Sequence, residues 1–182
     1  MQTAHYPIFA GKSPKFVFMK TVILIRHAKS DWNSPFEKDF DRPLNARGNR
    51  DAPVMAGRLT DKMPQVDALI SSPATRALST AEYFADAYGY SPDQIIRIPE
   101  LYHANAGRFY EIIENTDDRF NNIIVFSHNV GITDFVNSLT SVKIDSMPTC
   151  GMFGIRIPIL SWTGFRAAGK NFWFFDYPKN NS

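Results

Sequence analysis

The chain has 182 residues, of which 44% are hydrophobic and 21% are charged, the proportions of an ordinary globular domain with one core. Its formal charge of +2 is too small to indicate a nucleic-acid or membrane surface, so any functional positive potential must be local. The single cysteine, Cys150, excludes an internal disulfide and a cysteine-rich metal cage and fits a reducing, cytoplasmic compartment, and no apolar run approaches the ~20 residues of a membrane-spanning helix.

The N-terminal stretch differs from the rest of the chain. Residues 1–18 contain two prolines and scattered aromatic side chains without a period, and they lack the apolar segment of a signal peptide. Because Met19 stands directly before the first strand pattern, we interpret residues 1–18 as an N-terminal extension, either a loosely attached arm or a stretch ahead of the true start. Residues 19–182 are expected to form one domain, since no repeat or linker divides them.

Short apolar runs alternate with amphipathic stretches along the chain. The runs 22–25, 68–70, 95–98 and 123–126 predict strands, and the first and last are continuous enough to be fully buried. Between them, Asn45 is a candidate cap for a helix to about Leu59, which Pro53 would kink or restart. Ser72-Pro73 predicts the start of a second helix that Gly89 would end.

A third helix is predicted after the fourth strand, opening at Gly131, because Ile132, Phe135, Val136 and Leu139 share one face. Alternating strands and helices of this kind indicate an α/β layered fold with a mainly parallel sheet. Beyond residue 146 the stretches "GMFGIRIPI" and "NFWFFDY" predict a C-terminal β-hairpin on or near a sheet edge.

Basic side chains collect where the predicted strands end. Arg26 and His27 follow the first run, and His128 follows the fourth. Arg76 lies in the first turn of the helix after the second run. Because ligands of parallel α/β sheets bind beyond the carboxyl ends of the strands, we expect these four side chains to meet at one edge. Each taken alone is more typical of a structural or solvated residue.

Together, the four groups would repel one another unless an anion lay between them, and a phosphoryl group supplies that charge with three acceptor oxygens. Planar guanidinium groups match those oxygens in pairs. Alternatively, the two histidines could bind a metal ion, but the adjacent arginines would repel a cation. The sequence therefore predicts a phosphate site with no metal and no other cofactor.

These same residues lie in motifs that resemble the histidine phosphatase superfamily, and within it the small SixA-like phosphohistidine phosphatases. The motifs are "LIRHAKS", with Ala28 at the usual glycine, "SSPATRALSTAEYF", and "VFSHNVGI", with Ser127 where glycine is common. Two further stretches, "DFDRPLNARGNRDAP" and "LYHA", resemble the small branch in particular. The resemblance implies a phosphoglycerate mutase-like, three-layer α/β/α sandwich with helices on both faces of a mainly parallel sheet.

The resemblance also implies roles for particular residues. His27 would be the nucleophile that takes the phosphoryl group. Arg26, Arg76 and His128 would bind and neutralise it, and Asn45 would help to hold the phosphate. A covalent phosphohistidine divides hydrolysis into two displacements, and the flanking arginines favour the neutral, attacking form of the imidazole. The ring nitrogen that attacks depends on what holds the other one, for which a backbone carbonyl is a plausible partner.

The leaving group distinguishes the candidate substrates. An alkoxide needs a positioned acid, for which Glu100 is a candidate, although Tyr102 falls nearer the acid position of the family and His103 and Asp39 are weaker alternatives. Without an acid, a better leaving group such as the imidazole of phosphohistidine is indicated. The stretch between Gly89 and the third motif must supply a strand and a helix, which leaves little for a lid.

The leading hypothesis is therefore a cytoplasmic, metal-independent phosphatase. It would form a phosphohistidine intermediate on His27 and hydrolyse phosphohistidine on a protein substrate. The alternatives are a phosphomonoesterase of small sugar or alkyl phosphates, with Glu100 as the acid, and a phosphate-binding module without turnover. Neither nucleic acid nor membrane is expected as a partner.

Overall fold

The computed structural model describes residues 18–32 and 38–180, and in these ranges six strands form one sheet with helices on both faces. The strands are β1 (Lys20–Arg26), β2 (Ala68–Ser71), β3 (Ile96–Arg97), β4 (Asn122–Ser127), β5 (Met152–Ile157) and β6 (Asn171–Asp176). The α-helices are α1 (Ala46–Lys62), α2 (Thr75–Ala87), α3 (Ala106–Glu114) and α4 (Gly131–Leu139). Short 3₁₀ helices cover Asp39–Asp41, Pro92–Gln94, Pro99–Leu101 and Trp162–Gly164.

The order of the strands across the sheet is β3-β2-β4-β1-β5-β6. The first four of these run parallel, whereas β5 and β6 form an antiparallel pair with β6 at the edge. The predictions of a mainly parallel sheet and of a C-terminal hairpin at its edge are confirmed. Arg26 of β1 pairs in register with Ser127 of β4, so these two parallel strands end at the same level.

Two apolar cores hold the layers together. Along β1, Val22 and Leu24 join the core under α3 and α4, whereas Ile23 and Ile25 join the core under α1 and α2. Successive side chains of a strand point to opposite faces, and both faces of β1 are covered, which is why the run is apolar at every position. The arrangement is a three-layer α/β/α sandwich, as predicted.

Three elements differ in detail from the predictions. Helix α1 continues through Pro53 without a restart. Both Pro53 and Asn49 are exposed, so water can replace the helical hydrogen bond that the carbonyl of Asn49 loses. Helix α2 begins at Thr75, with Ala74 rather than Ser72 as its cap, and ends before Gly89 as predicted. The predicted third strand is reduced to the two residues of β3.

Most of the predicted N-terminal extension, residues 1–17, lies outside the described residues, so that interpretation stays a prediction. Within the described ranges, no helix combines the length and the apolar character needed to cross a bilayer. The tail aromatic Trp173 lies in the edge strand β6, where it is half-buried.

Candidate active site

A cavity of about 240 Å³ opens at the edge of the sheet where β1 and β4 end. It contains all four of the basic side chains expected there. The described residues that line it include Arg26, His27, Asp39, Arg42, Arg76, His103 and His128. The predicted convergence of distant motifs on one pocket is therefore what the fold produces, since parallel strands place their carboxyl ends side by side.

The imidazole of His27 has a fixed tautomer. Its Nδ1 lies 2.7 Å from the carbonyl oxygen of Ala28, and since a carbonyl only accepts, Nδ1 carries the proton. The other nitrogen, Nε2, accepts a hydrogen bond of 3.3 Å from Nε of Arg76. Burial, at 6% exposure, is the main reason that the pKa of His27 falls to about 3; Arg76 lowers it further, while the carbonyl of Ala28 acts in the opposite direction. The ring is therefore neutral near pH 7, with the lone pair on Nε2.

His128 faces His27 across the pocket. The two ring centroids are 5.1 Å apart, and Nε2 of His128 lies 2.8 Å from Oγ of Ser72. Its Nδ1 is buried and has no hydrogen-bond partner among the described residues. Burial lowers the pKa of His128 to about 2, with His27 and Arg76 adding to the effect. An anion bound beside the two rings would raise both pKa values, because it would stabilise the protonated forms.

Asp39 supplies the negative charge that the cluster of cations requires in the free protein. Its Oδ2 lies 2.9 Å from Nη2 of Arg76, its Oδ1 lies 2.9 Å from Nη2 of Arg42, and its backbone carbonyl accepts from Nη1 of Arg76. The hydroxyl of Tyr102 donates to Oδ2 over 2.8 Å. Partial burial raises the pKa of Asp39, but Tyr102 and Arg76 lower it by more. Asp39 therefore remains ionised near neutral pH.

Sequence reasoning missed Arg42 and the bridging role of Asp39. The guanidinium carbon of Arg42 lies 3.5 Å from the ring centroid of Trp32, so it is held between an aromatic face and a carboxylate. Arg42 and Asp39 belong to the stretch "DFDRPLNARGNRDAP", in which Asp39 was considered only as a weaker acid candidate and Arg42 was given no role. From this stretch the sequence could have indicated a basic residue near the pocket, but not its contacts. The loop does not follow a strand, so no strand end fixes its position.

Arg26 and Arg76 are held differently. Arg26 donates from Nη1 to the carbonyl of Met147 over 2.7 Å, and among the described residues its buried Nε has no partner. Burial lowers the pKa of Arg26, and Arg76 lowers it further. Arg76, at 3% exposure, is turned into the pocket by the first turn of α2. Each guanidinium has five N–H groups, and these contacts use fewer than five, which leaves donors for an incoming anion.

The two positions that depart from the family motifs are well packed. The buried Ala28 donates its N–H to Oγ1 of Thr80 over 2.9 Å, and Ser127 donates its hydroxyl to the carbonyl of Leu101 over 2.9 Å. Neither substitution leaves a buried polar group unpaired. Nearby, a Cβ at Gly131 would come within 1.7 Å of the carbonyl oxygen of Ala104, so glycine permits the close approach of α4 beside His128.

Two predicted residues lie away from the cavity. Asn45 caps α1, where its side chain accepts from the N–H of Gly48 over 3.0 Å, and it is absent from the residues lining the pocket. Glu100 lines a different cavity of about 410 Å³ beside β3 and α3. Of the weaker acid candidates, His103 lines the same cavity as His27 and has a φ of 57°, an uncommon backbone conformation that functional sites often retain.

No group of three or more His, Cys, Asp or Glu side chains in residues 18–32 and 38–180 is arranged to hold a metal ion. The donors that do line the pocket suit an anion instead, because guanidinium groups have no lone pair to offer a cation.

The chain is similar to proteins of known and unknown activity. It is 28% identical over 172 residues to an uncharacterized chloroplastic protein of Arabidopsis thaliana, covering 88% of this chain and 78% of that one. It is 29% identical over 116 residues to phosphoserine phosphatase 1 of Hydrogenobacter thermophilus, covering 62% and 54% of the two chains.

Among solved structures, the protein histidine phosphatase SixA complexed with tungstate has a TM-score of 0.74 and 21% identity, over 89% of this chain and 99% of that one. This likeness confirms the predicted fold. Residues 22–120 match the model of the histidine phosphatase superfamily (branch 1). This segment is more than half of the chain and contains the motifs with His27 and Arg76. On this match, and with the convergence of its basic motifs on one pocket, the chain belongs to the histidine phosphatase superfamily.

Proposed function

We propose that the protein is a metal-independent phosphatase that forms a phosphohistidine intermediate on Nε2 of His27 and that its substrate is protein phosphohistidine. The observation that carries the proposal is the hydrogen bond from Nδ1 of His27 to the carbonyl of Ala28, because it leaves an unprotonated Nε2 facing Arg76 and His128. Membership of the superfamily supports phosphatase chemistry. Metal independence is supported by the surrounding guanidinium groups, which would repel a divalent cation.

The first displacement transfers the phosphoryl group to the enzyme. The lone pair of His27 Nε2 forms a bond to phosphorus while the bond from phosphorus to the substrate imidazole breaks, and that imidazole nitrogen takes a proton from solvent. Nδ1 of His27 keeps its proton, which the carbonyl of Ala28 stabilises as the ring gains positive charge. Arg26, Arg76 and His128 stabilise the charge on the equatorial oxygens in a loose transition state.

The second displacement restores the enzyme. Water attacks phosphorus in line with the bond to Nε2, that bond breaks, and inorganic phosphate leaves with the oxygen of the water. The electron pair returns to His27 Nε2, and the proton lost by the water passes to solvent or to the departing phosphate. No redox partner or further reactant is required.

The choice of phosphohistidine rests on the leaving group. Glu100, the acid predicted for an ester, lines a separate cavity. Asp39 is ionised near neutral pH and cannot donate a proton, and the hydroxyl of Tyr102, whose pKa is raised by burial and by Asp39, already donates to that carboxylate. An imidazole departs without the strong acid assistance that an alkoxide needs, so a phosphoramidate fits this pocket better.

A small phosphomonoester is the second candidate, and a specific observation favours it. His103 lines the catalytic cavity and could act as the acid that such an ester requires. The similarity to a phosphoserine phosphatase points the same way. The two candidates are separated by measuring kcat/KM of the wild type and of His103→Gln on phosphoserine and on a phosphohistidine peptide. If His103 is the acid, the variant should lose activity on phosphoserine but not on the peptide.

The central test is to trap labelled phosphate on the enzyme. Incubation with ³²P-phosphohistidine peptide and rapid quenching in alkali, in which phosphohistidine survives, should give label on His27. His27→Asn should lose the label and at least about a thousand-fold in kcat, as expected when a covalent nucleophile is removed. Turnover in EDTA should be unchanged. Tight phosphate binding with no turnover, and no effect of His27→Asn, would identify a phosphate-binding module instead.

The proposed setting is the cytoplasm. Cys150 is buried and unpaired, which is compatible with a reducing compartment, and burial raises the pKa of its thiol, so that it is protected from oxidation.

A further inference from the structure

A second cavity, of about 360 Å³, adjoins the catalytic pocket. The two share Arg26, Lys29 and Thr149 in their walls, so they lie directly beside each other. Beyond the shared residues, the second cavity adds Arg47 and Lys179. We name it the basic subsite, defined by Arg26, Lys29, Arg47 and Lys179. None of its described lining residues is acidic.

The fold brings these cations together from three parts of the chain. Lys29 follows β1, Arg47 lies in the first turn of α1, and Lys179 follows β6. A Cβ at Gly48 would lie 2.2 Å from the carbonyl oxygen of Lys29, so glycine allows the start of α1 to contact the loop after β1. Nη2 of Arg47 donates to Oγ1 of Thr149 over 3.1 Å, which holds the guanidinium at the shared wall.

The charge of the basic subsite is less compensated than that of the catalytic pocket. In the catalytic pocket, Asp39 bridges two arginines. In the basic subsite, Asp51 lies 3.2 Å from Nε of Arg47, but neither Lys29 nor Lys179 has an ion-pair partner among the described residues. Like charges around one depression repel each other, and an anion placed among them relieves that repulsion.

We propose that the basic subsite binds a second anionic group of the substrate, next to the phosphoryl group that His27 attacks. This inference rests on the proposed function for the place of the phosphoryl group. For a phosphoprotein, the second group is a carboxylate side chain near the phosphohistidine. For a small substrate, it is a further carboxylate or phosphate on the same molecule. The shared chemistry is a dianionic phosphoryl group with another anion close to it.

The first experiment measures binding without turnover. Phenylphosphonate and its 3-carboxy and 4-carboxy derivatives are titrated calorimetrically into the full chain, as non-hydrolysable probes with one or two anionic groups. In the wild type, the better carboxy derivative should bind about tenfold more tightly than phenylphosphonate, and the difference should shrink at high salt. In Arg47→Met and in Lys179→Met, the advantage should fall to about twofold or less.

Arg50→Met is the matched control. It removes one positive charge from the same helix, but Arg50 does not line either cavity and its side chain is 70% exposed. It should keep the tenfold advantage, which separates a local subsite from a general effect of net charge. Equal binding of the three probes to the wild type would overturn the proposal. So would an advantage that survives in both Arg47→Met and Lys179→Met, or one that Arg50→Met reduces equally.

The second experiment distinguishes the source of the anion. Two phosphohistidine peptides are compared by kcat/KM, one with glutamate and one with glutamine on either side of the phosphohistidine. A preference for the glutamate peptide that Lys179→Met abolishes identifies a protein substrate. A carboxy-phosphonate advantage without a peptide preference identifies a small substrate. If His27 takes no label but the phosphonate advantage still depends on Arg47 and Lys179, the proposed function fails and the basic subsite stands.

Discussion

Two buried neutral histidines should make the stability of the protein fall on mild acidification. The pKa of His27 is about 3 and that of His128 about 2 in the folded protein, mainly because of burial, against an ordinary value of 6.5. Between about pH 3 and pH 6.5 the unfolded chain therefore binds protons that the folded chain does not, so the free energy of unfolding rises with pH in this window. The stability associated with the two neutral rings is fully present above about pH 6.5 and is lost progressively as the pH falls below that value.

The magnitude follows from the width of the window. At pH 5, about 1.5 pH units below the unfolded value, each histidine costs about 2 kcal/mol, at 1.36 kcal/mol per unit. The two together cost about 4 kcal/mol as an upper bound, since the two rings are neighbours whose titrations are coupled and His27 lowers the pKa of His128. A loss of this size is a large part of the stability of a typical domain.

The assay is urea denaturation at pH 7.5 and pH 5.0 in a buffer free of phosphate and sulfate. His27→Asn and His128→Gln should each remove about half of the loss of stability between the two pH values. Adding inorganic phosphate at pH 5.0 should restore stability to the wild type, because a bound anion raises the pKa of both rings. If the wild type is as stable at pH 5.0 as at pH 7.5, or if neither variant changes the difference, the two rings are not held neutral by burial.

Three further changes test the site. Arg76→Lys should slow the labelling of His27 by about a hundred-fold or more in rapid-quench measurements, because lysine cannot reproduce the donor geometry of the guanidinium; a near-normal labelling rate would remove Arg76 from the chemistry. Gly131→Ala should lower the free energy of unfolding by more than about 1 kcal/mol in urea, since its Cβ would overlap the carbonyl of Ala104, whereas unchanged stability would mean that this approach is not tight. Asp39→Asn should tighten the binding of inorganic phosphate about tenfold in calorimetry, because the carboxylate competes with phosphate for Arg76. Weaker binding in Asp39→Asn would indicate instead that Asp39 mainly positions the guanidinium.

The agreement between sequence and structure is best where the pattern is local. The buried strands β1 and β4, the cap at Asn45, the end of α2 before Gly89 and the apolar face of α4 follow from spacing and residue type alone. The agreement is poorer where a side chain had two uses. Ser72 has the residue type of a helix cap, but in the structure its hydroxyl lies beside His128, and the N-cap position of α2 is occupied by Ala74, which makes no side-chain capping hydrogen bond.

The site shows the same division. The positions of His27, Arg26, Arg76 and His128 could be predicted because each follows or lies close to a strand end, and parallel strands end at one edge. Arg42 and Asp39 could not, since they lie in a loop that no strand end positions, and their contacts depend on how that loop folds over α2. Glu100 was a reasonable acid by residue type, but the short β3 and the 3₁₀ helix Pro99–Leu101 direct it to another cavity.

The sequence by itself determined the layered α/β architecture, the family motifs and the four basic residues at the strand ends. These features depend on hydrophobic periodicity and on the residue types within short motifs, both of which can be read without the fold. Only the tertiary structure decided that the carbonyl of Ala28 fixes the tautomer of His27, that Asp39 pairs with two arginines of the pocket, and that Lys29, Arg47 and Lys179 extend the pocket. The contact of Asp39 with Arg76 and the walls of the basic subsite join parts of the chain far apart in sequence. The contact between His27 and Ala28 is between neighbouring residues, but its geometry is set by the conformation that the fold gives them. All three depend on burial and distance, which exist only once the chain has folded.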